Sequence, residues 1–572
     1  MIKECSLLHC MAHSRIRRAI LHHLMTLICI PIMVEADEAT GAQPALEQAA
    51  RAIEAGARLI EWRIDHVTDT PDLIARLLSE SPAPCIVTCR PTTEGGEYDG
   101  TDSDRIAALE HLALEHTPSY LDVELATYER SANLAQKVRL VIDHPNQLRA
   151  TGTRLILSTH DFTGRPKDLY NRLGRMAQDD ACAVIKVAWT ARSLRDNIEA
   201  FELLQNRTKP TIALCMGRFG LLSRVLAPKF GAFLTFARAD DTLGTAPGQP
   251  GIGQLRETYH FDAINKHTRT YGIVGWPAEH SIGPVVHNAA FRHADHDGVY
   301  LPLPIPPEYE HFKATIGSLI DYGPLDFSGA SITTPHKENA LRFVREHDGT
   351  VDPMTDLCGA ANTLTIDRST DVMTLHAANT DVEALVDSVC DALQIARDGL
   401  AGRSVAVIGA GGAARAAAVG FALAGVGSIT LHNRTEAHAH ALADELSRRL
   451  SDMRQCDVPI TAAGLEAMSR RPYDLIIQTT PVGMADPSTP DRSDCPLPDD
   501  VLSAIPWSDC ALALDLIYTP AETPFLRAAR QAGCHTRNGK DMFSRQALGQ
   551  LHYWLTPEAA SLLNAGFIDS LI

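Results

Sequence analysis

Between Ile28 and Arg238 one pattern recurs: a short apolar run, then a segment with apolar residues at helical spacing. The runs are ICIPIM (28–33), RLIEWRID (58–65), CIVTCR (85–90), YLDVEL (120–125), RLILSTHD (154–161), AVIKVAW (183–189), TIALCMG (211–217) and AFLTFA (232–237). Segments between them, such as QPALEQAARAIEAGA, carry the period of an amphipathic helix. Parallel strands need long crossover connections, and strand-then-helix units filling about 210 residues are the arithmetic of a (β/α)8 barrel.

That fold puts its chemistry at the C-terminal ends of the strands. Here those ends carry Glu61, Arg63, Arg90, Glu124, His160, Lys186 and Met216. Lys186 is the odd residue, because ACAVIKVAWT otherwise reads as a strand covered on both faces. A lysine there either carries its ammonium to the surface, or is buried as a free amine and serves as a Schiff-base nucleophile. The convergence of the other strand ends on one mouth favours the second. An amine attacking a ketone gives an iminium, which acidifies the neighbouring C–H. His160 is the natural proton shuttle, with Glu124 to orient it, and arginines suit a substrate carboxylate. Together these residues describe a lyase or aldolase acting on a small carboxylated ketone.

The chain has 572 residues, which suggests three to four domains. A net charge of −18 argues against a general nucleic-acid or anionic-membrane binder, and no apolar run has the length of a membrane span. The 13 cysteines are scattered without a CxxC pair, so reduced thiols in a cytoplasmic protein are expected. No metal is expected. Residues 1–24 read as an extension or a misassigned start, with Met25 beginning the folded part.

After QLRETYHFDAINKHTRT the rhythm restarts at YGIVGWPAEHSIGP. The clearest later motif is SVAVIGAGGAARAAAVGFALAGVGSITLHNRTEAHA: a strand (404–408), a glycine-rich turn, an Ala-rich helix and a second strand (428–432). The turn is Gly409, Ala410, Gly411, Gly412, Ala413 and Ala414, with Ala414 in place of the third glycine. In this context it puts a pyrophosphate on a helix N-terminus. The second strand ends in Asn433, Arg434 and Thr435 rather than an acid. Arg434 therefore suits a 2′-phosphate and favours NADP, the alternative being an ordinary surface arginine. Upstream, Lys337 (SITTPHKENAL), Asn362 (GAANTL) and Asp381 (ANTDVEAL) stand out. A lysine with a nearby aspartate moves a proton while a hydride moves to or from nicotinamide.

EWRID, TCR, DVEL, STHDF, IKVA, MGRFGLLSR and TAPGQPG, in order over about 235 residues, resemble the type I 3-dehydroquinate dehydratase family. The resemblance implies Lys186 as the Schiff-base lysine, His160 as general acid/base and Glu124 as its partner. Glu61, Arg63, Arg90 and Arg224 would bind substrate, with Gln249 closing the site and Thr245 standing where many members have Ser. The later segments resemble the shikimate dehydrogenase family over about 300 residues. That resemblance implies a catalytic Lys337–Asp381 pair, with substrate contacts from Ser281, Thr333, Asn362, Tyr518 and Gln546. The dinucleotide would rest on Gly409 to Ala414, Asn433, Arg434 and Thr435, with Met542 near the nicotinamide.

Two departures stand out. The usual Ser-x-Ser before proline is Ser281-Ile282-Gly283-Pro284 here, which removes one hydroxyl and is expected to leave room that quinate would need. The glycine after the motif aspartate is Val382, expected only to adjust helix packing. The implied layout is an α/β protein: a barrel (25–260), a substrate-binding lobe (268–382, completed by 540–572) and a Rossmann lobe (383–539). The expected function is bifunctional: 3-dehydroquinate is dehydrated to 3-dehydroshikimate, which NADPH reduces to shikimate. The alternatives are a second domain working mainly on quinate, or a non-catalytic sensor of these metabolites.

Overall fold

The structure, a computed structural model, describes residues 25–35, 41–147, 150–240, 248–370, 372–452, 457–484 and 494–572. The chain forms two compact units, Met1–Thr268 and Arg269–Ile572.

The first unit contains eight parallel strands: β1 (Leu27–Met33), β2 (Leu59–Arg63), β3 (Cys85–Thr88), β4 (Tyr120–Glu124), β5 (Arg154–Asp161), β6 (Cys182–Thr190), β7 (Thr211–Met216) and β8 (Leu234–Phe236). From β1 to β7 each strand pairs with the next in sequence, and β8 pairs back with β1. Between β7 and the start of β8, the Phe233 amide donates to the Thr211 carbonyl at 2.9 Å, so the sheet nearly closes into a barrel. Cys29, Leu59, Ile86, Tyr120, Ile156, Val184, Ile212 and Leu234 come together in one apolar cluster at the N-terminal half of the strands. Polar side chains are thereby left to the opposite mouth.

The second unit has two six-stranded sheets. In the first, β9 (Arg269–Gly275), β10 (Gly298–Pro304) and β11 (Phe327–Ile332) run parallel. They continue through β13 (Thr363–Asp367), which is antiparallel to its neighbours, into β14 (Thr374–Ala378) and β12 (Thr350–Val351). The second sheet is wholly parallel in the order β17-β16-β15-β18-β19-β20, with β15 Ser404–Ile408, β16 Ser428–His432, β17 Ile460–Ala463, β18 Leu475–Gln478, β19 Leu512–Asp515 and β20 Thr536–Arg537. This is a Rossmann-like sheet, and helix Gly412–Leu423 follows its central β15 with a row of buried alanines. The helix Asp381–Leu393 packs on it, and Gly420 makes the space: a Cβ there would lie 3.4 Å from Val382 Cγ1 and 2.9 Å from Val386 Cγ2. Helix Lys540–Trp554 returns to the first sheet, where Trp554 Nε1 donates to the Leu364 carbonyl at 3.2 Å. Among the described residues no helix is long and apolar enough to cross a membrane.

Candidate active sites

Lys186 does not reach the surface. It is 5% exposed, and its Nζ donates to Asp122 Oδ2 at 2.7 Å and to Glu61 Oε1 at 3.3 Å. The amine also stands 4.6 Å from the centre of the Phe236 ring. Desolvating an ammonium costs several kcal/mol unless it is paired, and two carboxylates from β2 and β4 supply the pairing. Asp122 in turn accepts from Ser158 Oγ at 2.5 Å and is ion-paired with Arg90 at 2.8 Å. Burial opposes its charge, yet Arg90 and Lys186 hold its carboxyl well below the usual carboxylate range. Glu61 accepts from Thr88 Oγ1 at 2.8 Å. Arg63 is paired with Asp65, which also accepts from the Arg90 and Glu97 amides.

His160 sits at the end of β5. Burial, then the charges of Arg90 and Lys186, push its pKa well below the ordinary value, so the ring is neutral at pH 7. Its partner is Glu94, not Glu124. Glu94 Oε2 accepts from the His160 amide at 2.9 Å and lies 3.1 Å from Nδ1. With Nδ1 donating to that oxygen, Nε2 is the basic nitrogen. Burial, then repulsion from Glu124, raises the Glu94 carboxyl to about 7. The expected Glu124–His160 pair does not form because two buried arginines claim Glu124, Arg90 on one oxygen and Arg105 on the other, each at 2.6 Å.

Arg224 is buried, and its Nε has no hydrogen-bond partner among the described residues. Burial pulls its pKa down to about 10 against the opposing influence of Cys215. Gln249 Nε2 is likewise buried and without a partner among the described residues. Buried donors without acceptors are rare, and groups that await a ligand are one cause. Thr245 lies outside the described residues.

In the second unit Lys337 opens helix Lys337–Glu346, and its Nζ donates to Asp381 Oδ2 at 2.5 Å. Asn362 Nδ2 donates to Asp381 Oδ1 at 2.8 Å and lies 3.5 Å from Gln546 Oε1. Thr380 Oγ1 ties the same loop to the Gln546 carbonyl at 2.9 Å. The glycine-rich turn lies against this pair, since a Cβ on Gly412 would fall 2.7 Å from Lys337 Cδ. Gly409 has φ +124° and Gly411 faces open space. The turn thus offers bare backbone at the start of a 12-residue helix, which fits a dinucleotide pyrophosphate. Past β16 come Asn433, bonded to the Thr435 carbonyl at 2.9 Å, and the exposed Arg434. The Tyr518 ring packs 5.1 Å from Phe543, one residue beyond the buried Met542. Thr333 packs over Gly275, where an added Cβ would lie 2.4 Å from the Thr333 methyl.

The room expected at Gly283 is largely filled. A Cβ there would lie 3.1 Å from Ser281 Oγ and 3.2 Å from Tyr300 Cε1. Ser281 Oγ already accepts from the Gly283 amide at 3.0 Å, and the Tyr300 ring, stacked on His287 at 4.2 Å, occupies the rest.

A family model described as type I 3-dehydroquinase matches residues 28–266. Two more, the shikimate dehydrogenase substrate binding domain and shikimate/quinate 5-dehydrogenase, match residues 273–364 and 391–470. A chloroplastic bifunctional 3-dehydroquinate dehydratase/shikimate dehydrogenase from Arabidopsis thaliana is 34% identical over 92% of this chain and 81% of its own length. The chain belongs to this bifunctional family. Its first unit carries a dehydroquinase domain, a lyase, and its second a shikimate dehydrogenase domain, an oxidoreductase. A shikimate dehydrogenase (NADP(+)) from Methanocella arvoryzae is 37% identical over 50% of this chain and 92% of its own. A solved shikimate dehydrogenase in complex with NADP+ is 27% identical over 53% of this chain and 94% of its own, with a TM-score of 0.42.

In the dehydroquinase domain, sequence reasoning missed Asp122, Glu94, Ser158 and Arg105. Asp122 had a usable signal, since it stands two residues before Glu124 and alternate strand residues share a face. Glu94 lies in the loop after β3, where no periodicity exists to single it out.

Proposed function

We propose that the first unit dehydrates 3-dehydroquinate through an imine on Lys186, and that the second reduces the product, 3-dehydroshikimate, to shikimate with NADPH. The observation that carries the first half is a buried lysine between two carboxylates, beside a histidine kept neutral by its surroundings. A neighbouring carboxylate takes a proton from the Lys186 ammonium, and the freed amine adds to the ketone carbon. The proton returns to the carbinolamine hydroxyl, which leaves as water to give the iminium. The iminium draws electrons from the adjacent C–H bond. His160 Nε2 takes that proton, while Glu94 at Nδ1 stabilises the imidazolium. The same imidazolium then returns the proton to the departing hydroxyl, which leaves as water, and hydrolysis of the imine frees Lys186. Arg224 and Gln249 are the donors for the substrate's carboxylate and hydroxyls, while Arg90 is taken up by Glu124, Ser158 and Asp122.

In the second unit Lys337, fixed by Asp381, holds and delivers the proton at the reacting oxygen, and Asn362 and Gln546 orient the same edge. NADPH, when bound on the glycine-rich turn, supplies the hydride. The 2′-phosphate would meet Arg434, as no acid stands at the end of β16. We further assign the enzyme to a reducing compartment such as the cytoplasm, which suits cysteines that are all free among the described residues.

Borohydride added with 3-dehydroquinate tests the central step. The wild-type chain should gain the mass of one reduced adduct on Lys186 and lose dehydratase activity, while Lys186→Ala should gain none and keep its dehydrogenase activity. A labelled Lys186→Ala, or a wild type that never labels, sinks the imine.

A further inference from the structure

The carboxylate that failed to pair with His160 belongs to a longer array. From the barrel's outer surface inward, Arg130 meets Asp102 Oδ2 at 2.6 Å, and Asp102 Oδ1 meets Arg105 at 2.9 Å. Arg105 meets Glu124 at 2.6 Å, Glu124 meets Arg90 at 2.6 Å, Arg90 meets Asp122 at 2.8 Å, and Asp122 meets Lys186 at 2.7 Å. The signs alternate throughout. Arg130 is 63% exposed at its side chain, whereas Arg105, Glu124, Arg90, Asp122 and Lys186 are all buried. Arg105, on helix Asp102–His116, also donates to the Cys89 carbonyl at 2.7 Å and to Thr127 Oγ1 at 2.8 Å. It therefore holds the backbone just before Arg90 as well as the carboxylate that Arg90 grips.

We infer that Arg105 is a positioning residue for the imine-forming lysine, acting through Glu124, Arg90 and Asp122 without touching substrate. The inference rests on the proposed role of Lys186. Asp122 Oδ2 serves Arg90 and Lys186 at once, so its location depends on how firmly Arg90 is held. Arg90 is shared between two carboxylates, and Glu124 is shared between two arginines. Remove Arg105 and Glu124 has one cation left, toward which it draws Arg90 and away from Asp122. The carboxylate then has room to turn with the amine, which leaves the attack geometry. Long-range coupling needs a contiguous physical network, and here the five side chains from Arg105 to Lys186 are buried and joined by ion pairs of 2.6, 2.6, 2.8 and 2.7 Å.

Full-length Arg105→Met should lower the dehydratase kcat about tenfold to hundredfold per folded molecule, the scale of an ångström-size misplacement. The KM should stay within about twofold on the same reasoning, since Arg105 does not meet substrate. Borohydride trapping at Lys186 should slow in parallel. Arg105→Lys should recover part of the loss, because it restores the charge but not the fork that reaches Glu124, Asp102, Thr127 and Cys89 together. The dehydrogenase activity of the same molecules should be unchanged and serves as the concentration standard. If Arg105→Met does not fold, Asp102→Asn, which loosens only the outer end of the array, should show a smaller loss of kcat in the same direction. A wild-type kcat in the folded Arg105→Met protein, a change in KM alone, or, where that protein does not fold, an unaltered kcat in Asp102→Asn overturns the inference. Absence of trapping in the wild type would instead defeat the imine mechanism itself.

Discussion

Replacing Glu94 by Gln should make the barrel more stable and the dehydratase slower. The Glu94 carboxyl is raised from its usual 4.5 to about 7, chiefly by burial. The folded state therefore binds this proton more tightly than the unfolded chain. That stabilisation is complete below pH 4.5 and is lost as the pH rises through about 7. With each pKa unit equal to about 1.4 kcal/mol, the ionised carboxylate costs the folded barrel about 3 kcal/mol at pH 8. Gln carries no such charge, and its Oε1 still accepts from the His160 amide and Nδ1. Glu94→Gln should then raise the melting temperature of the first unit at pH 8 by roughly 6–12 °C, taking 2–4 °C per kcal/mol for a domain of this size. The gain should shrink to nothing by about pH 4.5. The same change replaces a charge-assisted hydrogen bond to the imidazolium with a neutral one. The difference is about 1–1.5 kcal/mol, or about tenfold in kcat. Differential scanning calorimetry from pH 4.5 to 8, with dehydratase assays on the same samples, reads both. A variant that melts at or below wild type at pH 8, or that keeps full kcat, refutes the account of Glu94 as a destabilised, functional carboxylate.

Arg434→Ala should raise the KM for NADPH about tenfold or more, the worth of one charged contact to phosphate, and leave that for NADH nearly unchanged; equal effects on both cofactors would show that Arg434 does not meet the 2′-phosphate. At position 283, the Tyr300 ring and Ser281 Oγ fill the space a larger ligand would need, so kcat/KM measured on shikimate should exceed that on quinate. The reverse order would make quinate the proper substrate of the second unit. Gly283→Ser forces a Cβ to within 3.2 Å of Tyr300 Cε1, and its thermal melt should show a loss of stability of about 1–3 kcal/mol from overpacking.

Much of the fold was legible in the sequence because its signals are local. Strand-length apolar runs alternating with helical periods determined eight parallel strands, and the bounds expected for β1, β5, β15 and β16 match the structure to within a residue. The strand–turn–helix setting of Gly409 to Ala414 determined where a dinucleotide can rest, since φ +124° at Gly409 is a backbone demand that only glycine meets without strain. Lys186 was conspicuous for the same reason, as one charge among apolar neighbours breaks a short-range pattern. Partner choice was not legible. Glu94, Asp122 and Glu124 are carboxylates of one domain, and only the tertiary structure decided that the first holds His160, the second Lys186 and the third two arginines. Those assignments turn on separations of a few ångströms between residues as far apart as the 66 positions from Glu94 to His160. The space at Gly283, the first residue of a helix, was likewise settled by Tyr300, which arrives from strand β10. Backbone periodicity depends on neighbours along the chain, whereas the energy of a buried charge depends on which counter-charge the fold brings within reach.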